Sequence, residues 1–249
     1  MLLYLDKVIV CICPLLEVGI TPRAQVAMKL AIFPFVADNS FRANYSRGLI
    51  VVFAQTSSPN VITTRLTLDE YRAMEETNPE RHEYRNGEII TMSGGSESHS
   101  AIASNFLIYL GFLLRDTDFR LYNSDLRVWI PEYQCGTYTD LMVVNGEPEF
   151  NGNRNDEILN PMVIVEVLSP STEAYDRGEK FRKYRSIVSF CEYLLVSQTE
   201  PYIEQYHNQD RNSNDRWLWQ VHSNFEQTIL VHSLNVEIPL AEIYRRINF

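Results

Sequence analysis

Two carboxylates stand in stretches that are otherwise apolar. Glu166 lies in Met162-Val-Ile-Val-Glu-Val-Leu168, opened by Pro161 and closed by Ser169-Pro170, and Asp140 lies in Tyr138-Thr-Asp-Leu-Met-Val-Val144. A strand covered on both faces is apolar at nearly every position, so each acid is out of place on packing grounds. Burying an ionised carboxylate either shifts its pKa or demands a partner. A hard divalent cation is one such partner: Mg²⁺ takes oxygen ligands, usually one or two protein carboxylates, and fills its shell with water and substrate phosphate oxygens. Glu83, where a hairpin begins, could complete the acidic set, and main-chain carbonyls beside Glu166, such as that of Val167, are natural extra ligands. The chemistry such a group performs is metal-assisted hydrolysis. The alternatives are a structural salt bridge for Glu166 and a solvated ion pair with Arg81 or Arg85 for Glu83.

The elements that must position these acids follow from pattern. Thr67-Leu-Asp-Glu70 is a capping box, predicting a helix from Leu68 to about Glu76. Asn86-Gly87 between His82–Arg85 and Glu88–Met92 predicts a hairpin. Ile102, Phe106, Leu107, Leu110, Leu113 and Leu114 recur at helical spacing, predicting a helix from Ser98 to about Arg115. Strands are expected at about Phe119–Ile130, Tyr138–Val144, Met162–Leu168 and Cys191–Val196, with a loop over Asn145–Asn160 and a helix from Glu173 to about Arg185. Beyond these, Tyr202–His207, Trp217–His222 and Thr228–His232 read as a short antiparallel meander, followed by a helical turn at Leu240–Arg246. The order describes a mixed α/β (α+β) domain on a central sheet flanked by helices.

At 249 residues and 45% hydrophobic composition the chain can bury a full core. Residues 1–60 lack sustained periodicity and read as an N-terminal extension to a domain spanning 61–249. Our expectation is that part of this extension is poorly ordered, or absent from the native product because the start codon is placed too far upstream. An intact Met1 peptide from endogenous protein would refute that. Asp6, Lys7 and Glu17 interrupt the first apolar stretch, so no membrane span is expected; Val8 to Leu16 makes only a poor secretory signal, and the expected location is cytoplasmic. The formal charge is −10, and beyond residue 60 there are 17 basic and 29 acidic side chains, so any nucleic-acid contact must come from a local patch. The four cysteines are too scattered for a disulfide framework or a zinc site. No nucleophile elbow, phosphate-cradling glycine loop or dinucleotide fingerprint is present.

The segments Arg81-His-Glu-Tyr-Arg-Asn-Gly-Glu88, Tyr138-Thr-Asp140, Val165-Glu-Val-Leu-Ser-Pro-Ser-Thr172 and Asp176-Arg-Gly-Glu-Lys180 with Tyr184 resemble, in that order, the Uma-type restriction endonucleases of the PD-(D/E)xK nuclease superfamily. The resemblance spans about residues 64–200 and implies a restriction-endonuclease-like core and Mg²⁺- (or Mn²⁺-) dependent hydrolysis of DNA. It implies Glu83, Asp140 and Glu166 as metal-binding carboxylates and Lys180 as the catalytic lysine. Two positions depart from the superfamily pattern. Thr139 replaces the proline before the aspartate, and Leu168 stands where the lysine two residues after the glutamate would be. In the Uma-type family that lysine lies on the following helix, the place of Lys180, where Asp176, Lys180 and Tyr184 fall on roughly one face. Asp176 and Tyr184, with His99 at the start of its helix, are candidates to support the site. Arg177, Arg182 and Lys183 are candidates to contact nucleic acid. Cutting both strands needs two sites, so the resemblance also implies a homodimer. Two rivals stay open: a non-catalytic nucleic-acid- or protein-binding module that keeps the fold, and a metal-dependent hydrolase of a smaller phosphoester.

Overall fold

The computed structural model describes residues 2–5, 8–11, 65–92, 94–210 and 216–249. In the unit Met1–Pro59, strands β1 (Leu2–Leu5) and β2 (Val8–Cys11) pair antiparallel. The remaining expectations for the N-terminal extension lie outside the described residues.

The unit Asn60–Phe249 opens with helix α1 (Leu68–Glu75), whose Thr67 hydroxyl and Glu70 carboxylate cap one another as the sequence predicts. Strands β3 (His82–Arg85) and β4 (Glu88–Thr91) turn at Asn86 and Gly87, both with positive φ, the combination that a tight hairpin needs. Helix α2 (Glu97–Leu114) starts at the Ser96 cap. It is followed by β5 (Phe119–Asn123), β6 (Arg127–Ile130), β7 (Cys135–Tyr138), β8 (Leu141–Asn145), β9 (Glu157–Ile158) and β10 (Pro161–Leu168). The helical segment after β10 comprises α3 (Glu173–Tyr175), a π-helical turn (Asp176–Lys180) and α4 (Phe181–Tyr184). Strands β11 (Glu192–Ser197), β12 (Ile203–Asn208), β13 (Trp217–His222), β14 (Thr228–Val231) and β15 (Val236–Pro239), then α5 (Leu240–Ile243), complete the unit.

Two sheets carry the architecture. One has the order β13-β12-β11-β10-β8-β5, mixed because β10 and β11 run parallel while its other pairs are antiparallel; the second has the order β4-β3-β7-β6-β9. The β10 run is buried at all eight positions. Val163, Val165 and Val167 pack with Ile102, Phe106 and Leu110 of α2, whereas Ile164 and Leu168 pack on the other side with Tyr184, Tyr193 and Leu195. Each such buried aliphatic or aromatic side chain contributes about 1.5–3 kcal/mol relative to exposure.

Several expectations needed correction. Phe119–Ile130 is two strands in different sheets, parted where the Asn123 side chain accepts from the Asp125 amide. Tyr138–Val144 is likewise two: Tyr138 pairs with Arg127 in the second sheet and Leu141 with Val165 in the first, so Asp140 sits at the crossover and not inside a strand. The expected loop before β10 contains β9, fixed by the buried Glu157, to which Arg72 and Asn151 donate. The helix after Glu173 is broken by the π turn. The C-terminal strands are not one meander: β12 and β13 extend the large sheet, while β14 and β15 form a separate hairpin.

Candidate active site

The crossover sets Asp140 against Glu166. Val165 pairs with Leu141 in an antiparallel ladder, so the next step places Glu166 opposite Asp140. The Val167 amide donates to Asp140 Oδ2 at 2.7 Å, and His99 Nε2, carried by the first turn of α2, lies 3.3 Å from the same oxygen. His99 is held above its usual pKa, first by its hydrogen bond to Asp140 and against the effect of burial, with the Val167 main chain and Asp176 adding to the rise.

Glu166 points to the other side of β10, into a buried group of charges. Lys180 Nζ lies 2.8 Å from Glu166 Oε1, 3.4 Å from Asp176 Oδ1 and 4.0 Å from Glu83 Oε1, and donates to the Tyr138 carbonyl at 3.1 Å. The Tyr184 hydroxyl donates to Glu166 Oε1 at 2.9 Å. Burial pushes Glu166 well above the ordinary carboxylate range; Lys180 opposes this, and Asp176 and Asp140 add to it. Lys180 moves up as well: burial disfavours its charge, but Glu166, Asp176 and Glu83 outweigh burial and keep it an ammonium.

Glu83 reaches this group from β3. It accepts from Thr137 Oγ1 and from Arg85 Nε and Nη2 at 3.1 and 2.6 Å. Burial acts to raise its pKa, but Lys180, Thr137 and Arg85 prevail and hold it below the usual value. The Arg85 guanidinium stacks 3.8 Å over the Tyr175 ring. Glu83, Arg85, His99, Asp140, Glu166 and Lys180 all line one cleft of about 670 Å³ between the two sheets.

A metal fits the chemistry of this donor set. Asp140 at the crossover, with Glu166 and the Val167 carbonyl on β10, offers hard oxygen donors, matching a cation that takes one or two carboxylates and keeps several waters. Among the described residues, no three His, Cys, Asp or Glu side chains converge as a ready ligand cluster. Glu83 is instead joined to the site through Lys180.

The sequence-predicted residues thus separate into two groups. Glu83, Asp140, Glu166, Val167, Asp176, Lys180, Tyr184 and His99 come together. The basic residues do not form the expected nucleic-acid face: Lys183 is buried with Nζ on Glu179 and the Tyr175 hydroxyl, Arg177 is paired with Glu173 and Glu204, and only Arg182 is exposed. Arg85 with Tyr175, and Gln198, escaped sequence reasoning as parts of the cleft. Gln198 donates to the Leu168 carbonyl at 2.7 Å and accepts from the Ser96 cap, tying the start of α2 to the end of β10. Nothing local in Ser197-Gln198-Thr199 signals that role.

The family described as "Uma2: Putative restriction endonuclease" matches residues 68–241. The chain belongs to that family. It is also similar to two uncharacterized proteins of Synechocystis sp. (strain ATCC 27184 / PCC 6803 / Kazusa). One, sll1609, is 38% identical over 59% of this chain and 83% of its own length; the other, slr1290, is 36% identical over 77% of this chain and 98% of its own. A solved structure described as "a putative nuclease belonging to DUF820" from Anabaena variabilis ATCC 29413 matches with a TM-score of 0.56 and 19% identity, over 72% of this chain and 97% of that one. That likeness shows the fold, a nuclease-like mixed α+β architecture. No helix among the described residues is long and apolar enough to cross a membrane.

Proposed function

We propose that this Uma2-family chain is a Mg²⁺- or Mn²⁺-dependent endonuclease that hydrolyses phosphodiester bonds in DNA. The observation that carries the reading is the 2.8 Å contact of Lys180 with Glu166. It brings a lysine from the helical segment to the carboxylate opposite Asp140, supplying the cation that Leu168 does not. Asp140, Glu166 and the Val167 carbonyl would hold the metal, which when bound supplies Lewis acidity and a water of lowered pKa.

The protein's own groups have definable tasks. Lys180, kept charged by three carboxylates, would orient the attacking water and offset charge that develops on the phosphoryl oxygens. Tyr184 fixes the Glu166 carboxylate, and the Val167 amide fixes that of Asp140. His99 would hold Asp140 in place or give a proton to a substrate oxygen, and Arg85 stands on the cleft wall where a flanking phosphate would pass.

Cleavage of supercoiled plasmid with Mg²⁺ or Mn²⁺, beside a chelator control and Asp140→Ala, tests the reading. Metal-dependent nicking should fall at least about 100-fold in the variant, the scale of losing transition-state stabilisation worth ~2.7 kcal/mol. Absence of cleavage, together with calorimetric metal binding that ignores Asp140, would refute it.

One observation favours a second reading. With Arg177 and Lys183 committed to carboxylates, the cleft offers few cations to a long polyanion. Hydrolysis of a smaller phosphoester is the alternative, and binding that barely responds to added salt would mark it.

A further inference from the structure

The buried polar side chains of the cleft satisfy one another, with one exception. Glu166 Oε1 takes Lys180 and the Tyr184 hydroxyl, Glu83 takes Thr137 and Arg85, and Asp140 Oδ2 takes the Val167 amide and faces His99. Thr139 has no such counterpart. It lines the same cleft and is 1% exposed, and its Oγ1 is buried without a hydrogen-bond partner. Among the described residues it is the only side chain lining the cleft with a buried polar atom in that condition.

The crossover leaves this hydroxyl nowhere else to go. On one side the Tyr138 carbonyl accepts from Lys180 and Tyr138 pairs with Arg127; on the other Leu141 pairs with Val165, so the backbone is pinned through two ladders. A β-branched side chain on a fixed backbone has few rotamers to choose from. Packing does not explain the hydroxyl either. Valine has the same branched shape and no polar atom to desolvate, and a buried polar group left unpaired is a net cost to the fold. A hydroxyl offers one donor and two acceptor sites, so the partner missing from the protein is something the cleft holds.

The position of Thr139 says what that partner is. It immediately precedes Asp140, which with Glu166 and the Val167 carbonyl makes up the donor set for a cation. A Mg²⁺ ion held by one or two carboxylates keeps several of its waters, and these are polarised and need acceptors. Glu166 Oε1 and Asp140 Oδ2 already carry protein donors; the Thr139 oxygen carries none. We propose that Thr139 Oγ1 accepts a hydrogen bond from a water in the shell of the bound cation, and so acts as a positioning residue that sets how tightly this site holds Mg²⁺. The inference rests on the metal-centre reading of Asp140 and Glu166 and goes beyond it by naming the group that holds the cation's water. Groups that act on a metal through its ligands change its affinity by about 10–100-fold when they are removed.

Titration calorimetry of the full chain with Mn²⁺, in the absence of nucleic acid, provides the test. Thr139→Val should weaken Mn²⁺ binding at least about 10-fold. Its metal-free Tm should equal or exceed that of wild type, because the unpaired hydroxyl is gone. Thr139→Ser, which restores the oxygen, should bind within about three-fold of wild type. Asp140→Ala is the control for the centre itself. Unchanged Mn²⁺ affinity in Thr139→Val would overturn the proposal and leave the metal centre standing. So would a loss that Thr139→Ser shares, or one accompanied by a metal-free Tm more than about 3 °C below wild type, since either makes the effect one of packing. A wild type whose Mn²⁺ binding is absent or ignores Asp140 overturns the metal reading, and this inference with it.

Discussion

Replacing Lys180 by Met tests the account of the buried charge group without reference to turnover. Met fills nearly the same volume, so the change deletes the ammonium while keeping the packing. Its loss leaves Glu166, Asp176 and Glu83, each side chain less than 8% exposed, without their shared cation. Breaking a buried ion pair from one side costs about 3–5 kcal/mol. For a unit of this size each kcal/mol moves Tm by about 2–4 °C, so a fall of about 6–20 °C is expected at pH 8. The loss should depend on pH. Glu166 already binds its proton more tightly folded than unfolded, and without Lys180 more so. A carboxyl whose folded pKa is raised adds protons to the native state between the unfolded and folded values, so stability falls as pH rises through that window. The Lys180→Met deficit should therefore shrink as pH drops from 8 toward 5, because Glu166 can neutralise itself. Thermal unfolding followed by circular dichroism at pH 5, 6, 7 and 8 reads this directly. Glu166→Gln added to Lys180→Met should recover part of the loss at pH 8. A Tm within 1–2 °C of wild type at pH 8, or a deficit that is the same at every pH, would refute the argument.

Other perturbations probe neighbouring features. Glu157 is fully buried and holds Arg72 through two hydrogen bonds, so Glu157→Gln should cost about 3 kcal/mol in urea unfolding by weakening that pairing and the joint between α1 and β9. Asp156 has a lowered pKa: partial burial acts against this, but Arg154 and Arg127 prevail. A depressed carboxylate contributes stability above its unfolded pKa that is lost as pH falls through the folded one, so Asp156→Asn should flatten the acid limb of stability below about pH 4. A β-carbon on Gly95 would lie 2.9 Å from His99 Nδ1 and 3.0 Å from its Cγ. Gly95→Ala should therefore push the imidazole off Asp140 and reduce cleavage about as much as His99→Ala, with Tm changed by less than about 3 °C.

What could be read from the sequence was local or followed from one misplaced polarity. Asn86-Gly87 and the Thr67 cap announce their structures because a handful of neighbouring atoms decide them. Glu166 announces itself because a charge within eight buried positions conflicts with packing. The sheet crossover at Thr139–Asp140 leaves no such mark. Apolar residues continue on both sides of it, and the change of partner from Arg127 to Val165 is decided by residues far away in sequence. Buried charges that pair with one another were also hidden, since Arg127, Glu157, Lys183 and Glu192 read as ordinary surface residues until their partners are placed. The same blindness hid the carboxylate partners of Arg177 and Lys183, two of the three basic residues expected to contact nucleic acid.

The π-helical turn from Asp176 to Lys180 holds one residue more per turn than the helix on either side, and both of its end residues point inward. Winding the same five residues as a regular helix would instead rotate everything beyond them by about 100°. Lys180 and Tyr184 would then leave Glu166 even though every side chain of the site was still encoded. Within the family, a chain with one residue fewer in these five positions would wind as a regular helix and still keep the lysine at the carboxylate. What the turn transmits is a length.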